Sequence, residues 1–273
     1  MRYLADPVRF QRMTTVEVRQ SFLVDTLFVP DKIVLVGVDL DRAIVGSAVP
    51  RRKPLALQET SSPSGFSCER REMGILNIGG EGVVRVDGGA HRLANKDIIY
   101  VGQGTKQIVF ESIDKTTPAE FYLLSYPAHS AFPVAKASLG EAEAVRLGDP
   151  LACNERVIYK YIHPGGIKSC QLVMGVTVLA PASVWNTMPP HTHGRRTEIY
   201  LYFDMPEEAR VFHLLGMPSE TRHIVVANKQ AVISPSWSIH SGVGTSSYSF
   251  CWAMGGENQV FEDMQGVRLS ELR

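Results

Sequence analysis

Three histidines and one glutamate have the types and the spacing of a metal-binding set. His191 and His193 lie two residues apart, and alternate residues of an extended strand face the same side, so both imidazoles can reach one ion. Glu198 begins the next apolar run, and Gly194 permits the turn or bulge that the odd offset requires. His240 follows later, just before a Ser-Gly pair. Imidazole and carboxylate ligands predict a divalent ion, with Zn, Fe, Mn, Ni and Co all suitable.

The run after Gly194 predicts a strand with two different faces. Glu198, Tyr200 and Tyr202 share one face by strand alternation, and the intervening apolar residues share the other. A carboxylate and two phenols suit the polar interior of a small barrel, whereas the apolar face suits packing. The predicted site therefore lies inside a β-structure, with its ligands carried on strands.

Strand patterns dominate the chain. Short runs rich in Val, Ile, Tyr and Phe alternate with Gly, Asn, Asp and Pro, which predicts an all-β antiparallel sandwich or barrel with few short helices. The spacing of Thr14 and Glu17 is that of a capping box and predicts a short helix there. The segment 139–147 is a second, weaker helix candidate, because it contains Gly140.

A repeated pattern suggests two similar barrels. An Arg-Arg pair leads a strand at Arg70 and again at Arg195, and an Asn-Lys turn leads a second strand at Asn95 and again at Asn228. A turn signal near Gly148 offers a boundary between them. We therefore expect an N-terminal barrel over residues 1–148 and a C-terminal, metal-binding barrel over residues 149–273.

The first half lacks the metal-binding set. The segment Phe66-Ser67-Cys68-Glu69 stands where the histidines would be, and Glu72 corresponds loosely to Glu198. We expect the N-terminal barrel to be a structural copy that holds no metal.

Composition limits the classes of partner. Lys plus Arg number 28 and Asp plus Glu number 28, and this balance predicts neither a nucleic-acid partner nor an anionic membrane surface. The four cysteines are scattered, without a CxxC pair, which is typical of free thiols in a reducing compartment. No apolar run is long enough to span a bilayer. We predict a cytoplasmic protein.

The arrangement H-x-H, Glu and a later His in a β-barrel resembles the cupin superfamily, and two such units resemble a bicupin. Longer segments are similar to the 4-deoxy-L-threo-5-hexosulose-uronate ketol-isomerases. They are Arg70 to Gly80, Trp185 to His193, Val232 to Thr245 and Gly255 to Phe261.

This resemblance implies an activity and a cofactor. The family isomerises 5-keto-4-deoxyuronate to 3-deoxy-D-glycero-2,5-hexodiulosonate in the breakdown of pectin and related polyuronides. It implies one zinc ion per chain, a homohexamer, and zinc ligands at His191, His193, Glu198 and His240.

A ketol-isomerase also needs a general base and a cation for the substrate carboxylate. Candidates for the base are Glu257, Tyr202 and Glu198 itself. Candidates for the cation are Arg196, Arg195 and Lys160, the first two because they lie close in sequence to the ligands.

Three alternatives stay open at this point. Four protein ligands can close a tetrahedral site, so the ion could serve only to order the barrel. The same ligand types also serve iron-dependent cupin dioxygenases. A cupin that binds a sugar acid without catalysis is the third possibility.

Overall fold

A computed structural model describes residues 1–57, 68–260 and 262–273. The expected Phe66-Ser67 part of the N-terminal segment and Phe261 lie outside the described residues. The described residues contain two α-helices, Pro7–Phe10 (α1) and Thr15–Phe22 (α2), and four short 3-10 helices elsewhere in the chain. The 3-10 helices are Leu40–Arg42, Cys68–Arg70, Pro150–Ala152 and Leu269–Glu271.

Strands make up most of the regular structure, which confirms the prediction of an all-β fold with a few short helices. The first twelve are β1 Leu23–Val24, β2 Ile33–Gly37, β3 Ile44–Ala48, β4 Leu55–Leu57, β5 Arg71–Asn77, β6 Gly82–Val86, β7 Gly89–Leu93, β8 Ile98–Val101, β9 Ile108–Ser112, β10 Phe121–Pro127, β11 Ala135–Ala137 and β12 Glu143–Leu147. The others are β13 Arg156–Ile162, β14 Val173–Leu179, β15 Trp185–Asn186, β16 His191–Thr192, β17 Arg196–Phe203, β18 Val211–Met217, β19 Glu220–Val226, β20 Gln230–Ser234, β21 Ile239–Gly244, β22 Ser249–Gly256 and β23 Gln265–Gly266.

Helix α2 confirms one local prediction, and β12 overturns another. Thr14 accepts a hydrogen bond from the Glu17 N–H, and the Glu17 carboxylate accepts one from the Thr14 N–H, which is the predicted capping box. The prediction of a helix over 139–147 was wrong, because Glu143–Leu147 is an edge strand beside β13. A short run containing a glycine nucleates a helix poorly, whereas a neighbouring strand offers it hydrogen bonds directly.

The chain forms two compact units. The first contains Met1–Arg2, Thr26–Glu143 and Lys160–Met174, and the second contains Tyr3–Asp25, Ala144–Tyr159 and Gly175–Arg273. Tyr3–Asp25 joins the second unit because β1 pairs with β20. Three segments lie across the expected boundary at residue 148, namely Tyr3–Asp25, residues 144–148 and Lys160–Met174. The division into barrels over 1–148 and 149–273 stays a prediction.

The first unit has two antiparallel sheets with the strand orders β11-β8-β5-β10-β3-β2 and β4-β9-β6-β7. Apolar side chains from both sheets form one buried cluster, whose members include Met73, Ile75, Val84, Phe110 and Phe121. Burial of this continuous apolar surface stabilises the unit.

Glu72 in the first unit is buried and fully engaged. Its carboxylate accepts hydrogen bonds from the backbone N–H groups of Cys170 (2.6 Å), Gln171 (2.8 Å) and Leu172 (2.8 Å). The hydroxyl of Tyr100 donates a fourth, at 2.8 Å. An anion satisfied in this way is a structural anchor for the 170–172 segment and offers no free lone pairs to a metal.

The second unit has a large sheet of order β1-β20-β17-β22-β14-β13-β12 and a smaller sheet of order β15-β21-β18-β19. Strand β17 is buried along its whole length, with β20 on one side and β22 on the other. Its register places Glu198 opposite Ser234 on β20 and opposite Met254 on β22. A fully buried interior strand of the sheet therefore carries the predicted carboxylate.

The predicted repeat has a structural counterpart. β5 is hydrogen-bonded to β8 in the first unit, and β17 is hydrogen-bonded to β20 in the second. Each second strand follows an Asn-Lys turn whose lysine is left-handed, with φ of 67° at Lys96 and 64° at Lys229. The Lys96 N–H donates to the Asn77 carbonyl, and the Lys229 N–H donates to the Tyr202 carbonyl, so both turns close in the same way.

Candidate metal centre

The four predicted residues meet at one point of the second unit. His191 lies on the short strand β16, His193 follows it directly, Glu198 lies on β17 and His240 on β21. One potential ligand atom from each lies within 4.8 Å of the others. Among the described residues, these four form a group of His and Glu side chains that could hold a metal ion. His193, Glu198 and His240 are buried, and His191 is half-buried.

The candidate ligand atoms of the four residues lie close to one another. His191 Nε2 lies 3.1 Å from His193 Nε2 and 3.0 Å from His240 Nε2. Glu198 Oε2 lies 2.8 Å from both His193 Nε2 and His240 Nε2. All four atoms lie within 4.8 Å of one another, so these residues would together hold one divalent ion.

The electrostatics of the cluster also suit a cation. Burial, followed by the charge of His240, lowers the pKa of His191 to about 3, so this imidazole is neutral and its lone pair is available. Burial alone would raise the pKa of Glu198, but the charge of His240 and the hydrogen bonds from His193 and His240 hold it well below its usual range. A buried carboxylate facing three imidazole nitrogens is a donor set that a divalent ion satisfies.

Contacts at the Nδ1 atom orient two of the imidazoles. His193 Nδ1 lies 3.3 Å from the Asp263 carbonyl, and His240 Nδ1 lies 3.5 Å from the Ser234 hydroxyl. Arg196 Nη2 also lies 3.2 Å from His193 Nδ1, and because a guanidinium can only donate, Nδ1 accepts this hydrogen bond. These contacts hold both rings with Nε2 directed at the cluster.

A cavity of about 270 Å³ opens beside the cluster. Three cluster residues line the cavity, namely His191, His193 and Glu198. The other lining residues are six polar or aromatic ones and six apolar ones: Arg156, Thr177, Thr187, Tyr200, Phe250 and Trp252, and Leu147, Ile158, Met188, Pro189, Met254 and Met264. A small polar molecule fits such a volume, with one end at the cluster.

The predicted catalytic residues separate in the structure. Glu257 is exposed and lies 3.8 Å from Arg195, and it is not among the residues that line the cavity. Tyr202 shares the inward face of β17 but lies farther along it, where its hydroxyl is 2.7 Å from His213 Nδ1. Tyr200 lines the cavity instead, and its hydroxyl is 3.1 Å from the Thr187 hydroxyl.

The predicted cations separate as well. Arg196 is buried behind the cluster, with Nη2 donating to the Asp263 carbonyl at 3.0 Å. Arg195 is exposed in its pair with Glu257, and Lys160 belongs to the first unit, where it pairs with Glu143 at 2.9 Å. The cavity lining contains a different arginine, Arg156. No local pattern marked Arg156, because its place depends on which strands neighbour β13.

Comparison with known proteins identifies the family. The sequence model of the KduI/IolB family matches residues 31–267. The chain belongs to the KduI/IolB family. A relative from Caldicellulosiruptor bescii, named 4-deoxy-L-threo-5-hexosulose-uronate ketol-isomerase, is 53% identical, and the match covers 100% of this chain and 99% of the relative.

Solved structures support the same fold for this KduI/IolB chain. An IolB-like protein from Salmonella typhimurium has a TM-score of 0.74 at 13% identity, covering 90% of this chain and 96% of that one. An oxalate decarboxylase has a TM-score of 0.57 at 9% identity, covering 82% of this chain and 71% of that one. These similarities, with the sheets described above, confirm the predicted double-cupin fold.

Proposed function

We propose that the chain is a ketol-isomerase that converts 5-keto-4-deoxyuronate to 3-deoxy-D-glycero-2,5-hexodiulosonate. The observation that carries the proposal is a cavity ending at three imidazoles and a carboxylate, in a chain 53% identical over its full length to a named ketol-isomerase. The cavity is large enough for a six-carbon acid.

The reaction exchanges a carbonyl and a hydroxyl between adjacent carbons. A proton leaves the hydroxyl-bearing carbon, negative charge develops on the two oxygens, and a proton is delivered to the former carbonyl carbon. A divalent ion held by His191, His193, Glu198 and His240 would supply a Lewis acid that stabilises this charge.

Tyr200 supplies a proton donor at the same place. Burial, followed by the charge of Glu198, raises the pKa of its phenol well above the usual range, so the hydroxyl stays protonated. Its position in the cavity lining lets it donate a hydrogen bond to a substrate oxygen. Among the three predicted bases, Glu198 is the one that lines the cavity.

We propose zinc as the resident ion, one per chain. The nitrogen and oxygen donors suit zinc, and the family resemblance supports this choice over iron, manganese, nickel or cobalt.

A combined assay tests both proposals. The purified protein is expected to convert the keto-uronate, followed by NMR of the product, and elemental analysis of the same sample is expected to give one zinc per chain. Anomalous scattering from crystals should place one strong site among the four residues and none near Glu72, whose carboxylate is already engaged. Oxygen consumption with bound iron would instead indicate a dioxygenase, and bound metal without turnover would indicate a binding protein.

We also propose that the protein is cytoplasmic, acts in polyuronide breakdown and assembles as a homohexamer. The family resemblance supports the pathway and the assembly, and the scattered free cysteines support the compartment. In the part of the chain that the structure describes, no helix is long and apolar enough to cross a membrane. Light scattering at micromolar concentration is expected to give six times the chain mass, and a monomer would contradict the hexamer.

A further inference from the structure

Arg156 differs from the other residues of the cavity lining in carrying a permanent positive charge. It is half-buried at the start of β13, and one of its donors, Nη1–H, is engaged by the Asn154 carbonyl at 2.7 Å. Among the described residues, no carboxylate forms an ion pair with it. The rest of its guanidinium fork is therefore available to an anion that enters the cavity.

The order of strands places Arg156 across the sheet from the metal cluster. The inward residues of consecutive strands form one surface: Glu198 and Tyr200 on β17, Phe250 and Trp252 on β22, Thr177 on β14, and Arg156 on β13. β17 and β13 are three strand spacings apart, or roughly 14 Å. Arg156 and the cluster therefore line the same cavity from different strands, and its volume suits a six-carbon acid that lies between them.

Thr177 provides a second donor beside Arg156. Its hydroxyl oxygen accepts a hydrogen bond from Trp252 Nε1 at 3.1 Å, so its own O–H can donate elsewhere. Thr177 lines the cavity on the strand next to Arg156. A guanidinium and a hydroxyl on adjacent strands form a suitable site for a carboxylate.

We infer that Arg156, assisted by Thr177, binds the carboxylate of the substrate, and that this contact fixes the opposite, carbonyl end of the molecule at the metal cluster. This inference rests on the proposed function. It makes Arg156 the residue by which the cavity selects sugar acids over neutral sugars, in place of Arg195, Arg196 and Lys160.

The test compares the keto-uronate with its uncharged analogue, in which a hydroxymethyl group replaces the carboxylate. In Arg156→Gln, kcat/KM for the acid is expected to fall about 10- to 100-fold, mainly through KM, because a charge-assisted contact is lost. The value for the neutral analogue is expected to change less than about two-fold, since that analogue never makes the contact. Arg156→Lys keeps the charge but loses the forked guanidinium, so its kcat/KM for the acid is expected to lie between the values of the parent and of Arg156→Gln.

Arg146→Gln is the matched control. Arg146 is exposed on the neighbouring strand β12, next to Leu147, which lines the cavity, so alternation directs Arg146 to the other face. This variant removes the same charge from the same edge of the sheet and is expected to behave like the parent. Circular dichroism melting of each variant establishes that it is folded. If Arg156→Gln does not fold, the same comparison of the acid and the neutral analogue is made with Arg156→Lys.

Equal losses on the acid and the neutral analogue would make Arg156 a structural residue and overturn the inference, as would an unchanged KM for the acid. If the parent does not turn over the keto-uronate, the proposed function fails, and calorimetric binding of the keto-uronate then tests the inference by itself. Binding at least 10-fold tighter by the parent than by Arg156→Gln supports it. Equal binding, or none, overturns it.

Discussion

Replacing His240 or His191 by alanine is expected to remove the ion and lower isomerisation at least about 1000-fold, while the chain stays folded. Each imidazole would contribute one nitrogen to the proposed ion, and the two Nε2 atoms lie 3.0 Å apart, so loss of either is expected to weaken metal affinity. The fold is expected to survive because two buried cores already stabilise it, unlike a zinc finger, whose folding depends on its metal.

The experiment measures metal content, turnover of the keto-uronate and cooperative melting on the same preparations. His223→Ala is the control, since His223 is an exposed histidine on β19 outside the cluster. It is expected to keep its metal and its activity.

Two results would contradict the catalytic role of the ion. Variants that lose the metal yet turn over at the parental rate would show that the ion takes no part in the reaction. Variants that fail to fold would show that the ion is structural first, which is the alternative that a four-ligand site leaves open.

Tyr200→Phe is expected to reduce kcat by about 100-fold with little change in KM or stability. The variant keeps the ring in the cavity and removes only the hydroxyl, which is placed to donate to a substrate oxygen as charge develops there. The Tyr200 hydroxyl lies 3.1 Å from the Thr187 hydroxyl, which can rotate to form a hydrogen bond with another partner in the variant. Most of the loss therefore falls on the transition state.

Tyr202→Phe, two residues along the same strand face, is the matched comparison. It removes the hydroxyl that lies 2.7 Å from His213 Nδ1, in a fully buried pair. The expected loss of unfolding free energy is about 1–3 kcal/mol, because a buried imidazole nitrogen is left unpaired. Its kcat is expected to stay within about three-fold of the parent.

Steady-state kinetics at saturating substrate measures the loss of kcat, and chemical denaturation measures the loss of unfolding free energy. The reverse pattern, with Tyr202→Phe inactive and Tyr200→Phe active, would return Tyr202 to the role that its position in the sequence first suggested. Equal kcat losses in both variants would point to a general disturbance of the barrel interior.

The sequence by itself determined much of the fold and the composition of the centre. Strand alternation put His191 and His193 on one side and gave β17 its polar face, because these properties depend only on neighbours along the chain. The Arg-Arg and Asn-Lys repeats indicated two related units for the same reason. His240 required more, since its place before a Ser-Gly pair suggested a ligand but only the packing of β21 brings it to the other three.

Only the tertiary structure decided which other residues share the cavity. Glu257 lies at the surface, and Tyr200 rather than Tyr202 lines the cavity. Arg156 also lines it, from a strand that is far from the candidate ligands in sequence. Glu143–Leu147 forms a strand instead of part of the predicted helix for a similar reason, because β13 lies beside it. Strand order is set by packing between residues distant in the chain, and it fixes which side chains face one another, so no local pattern could have supplied it.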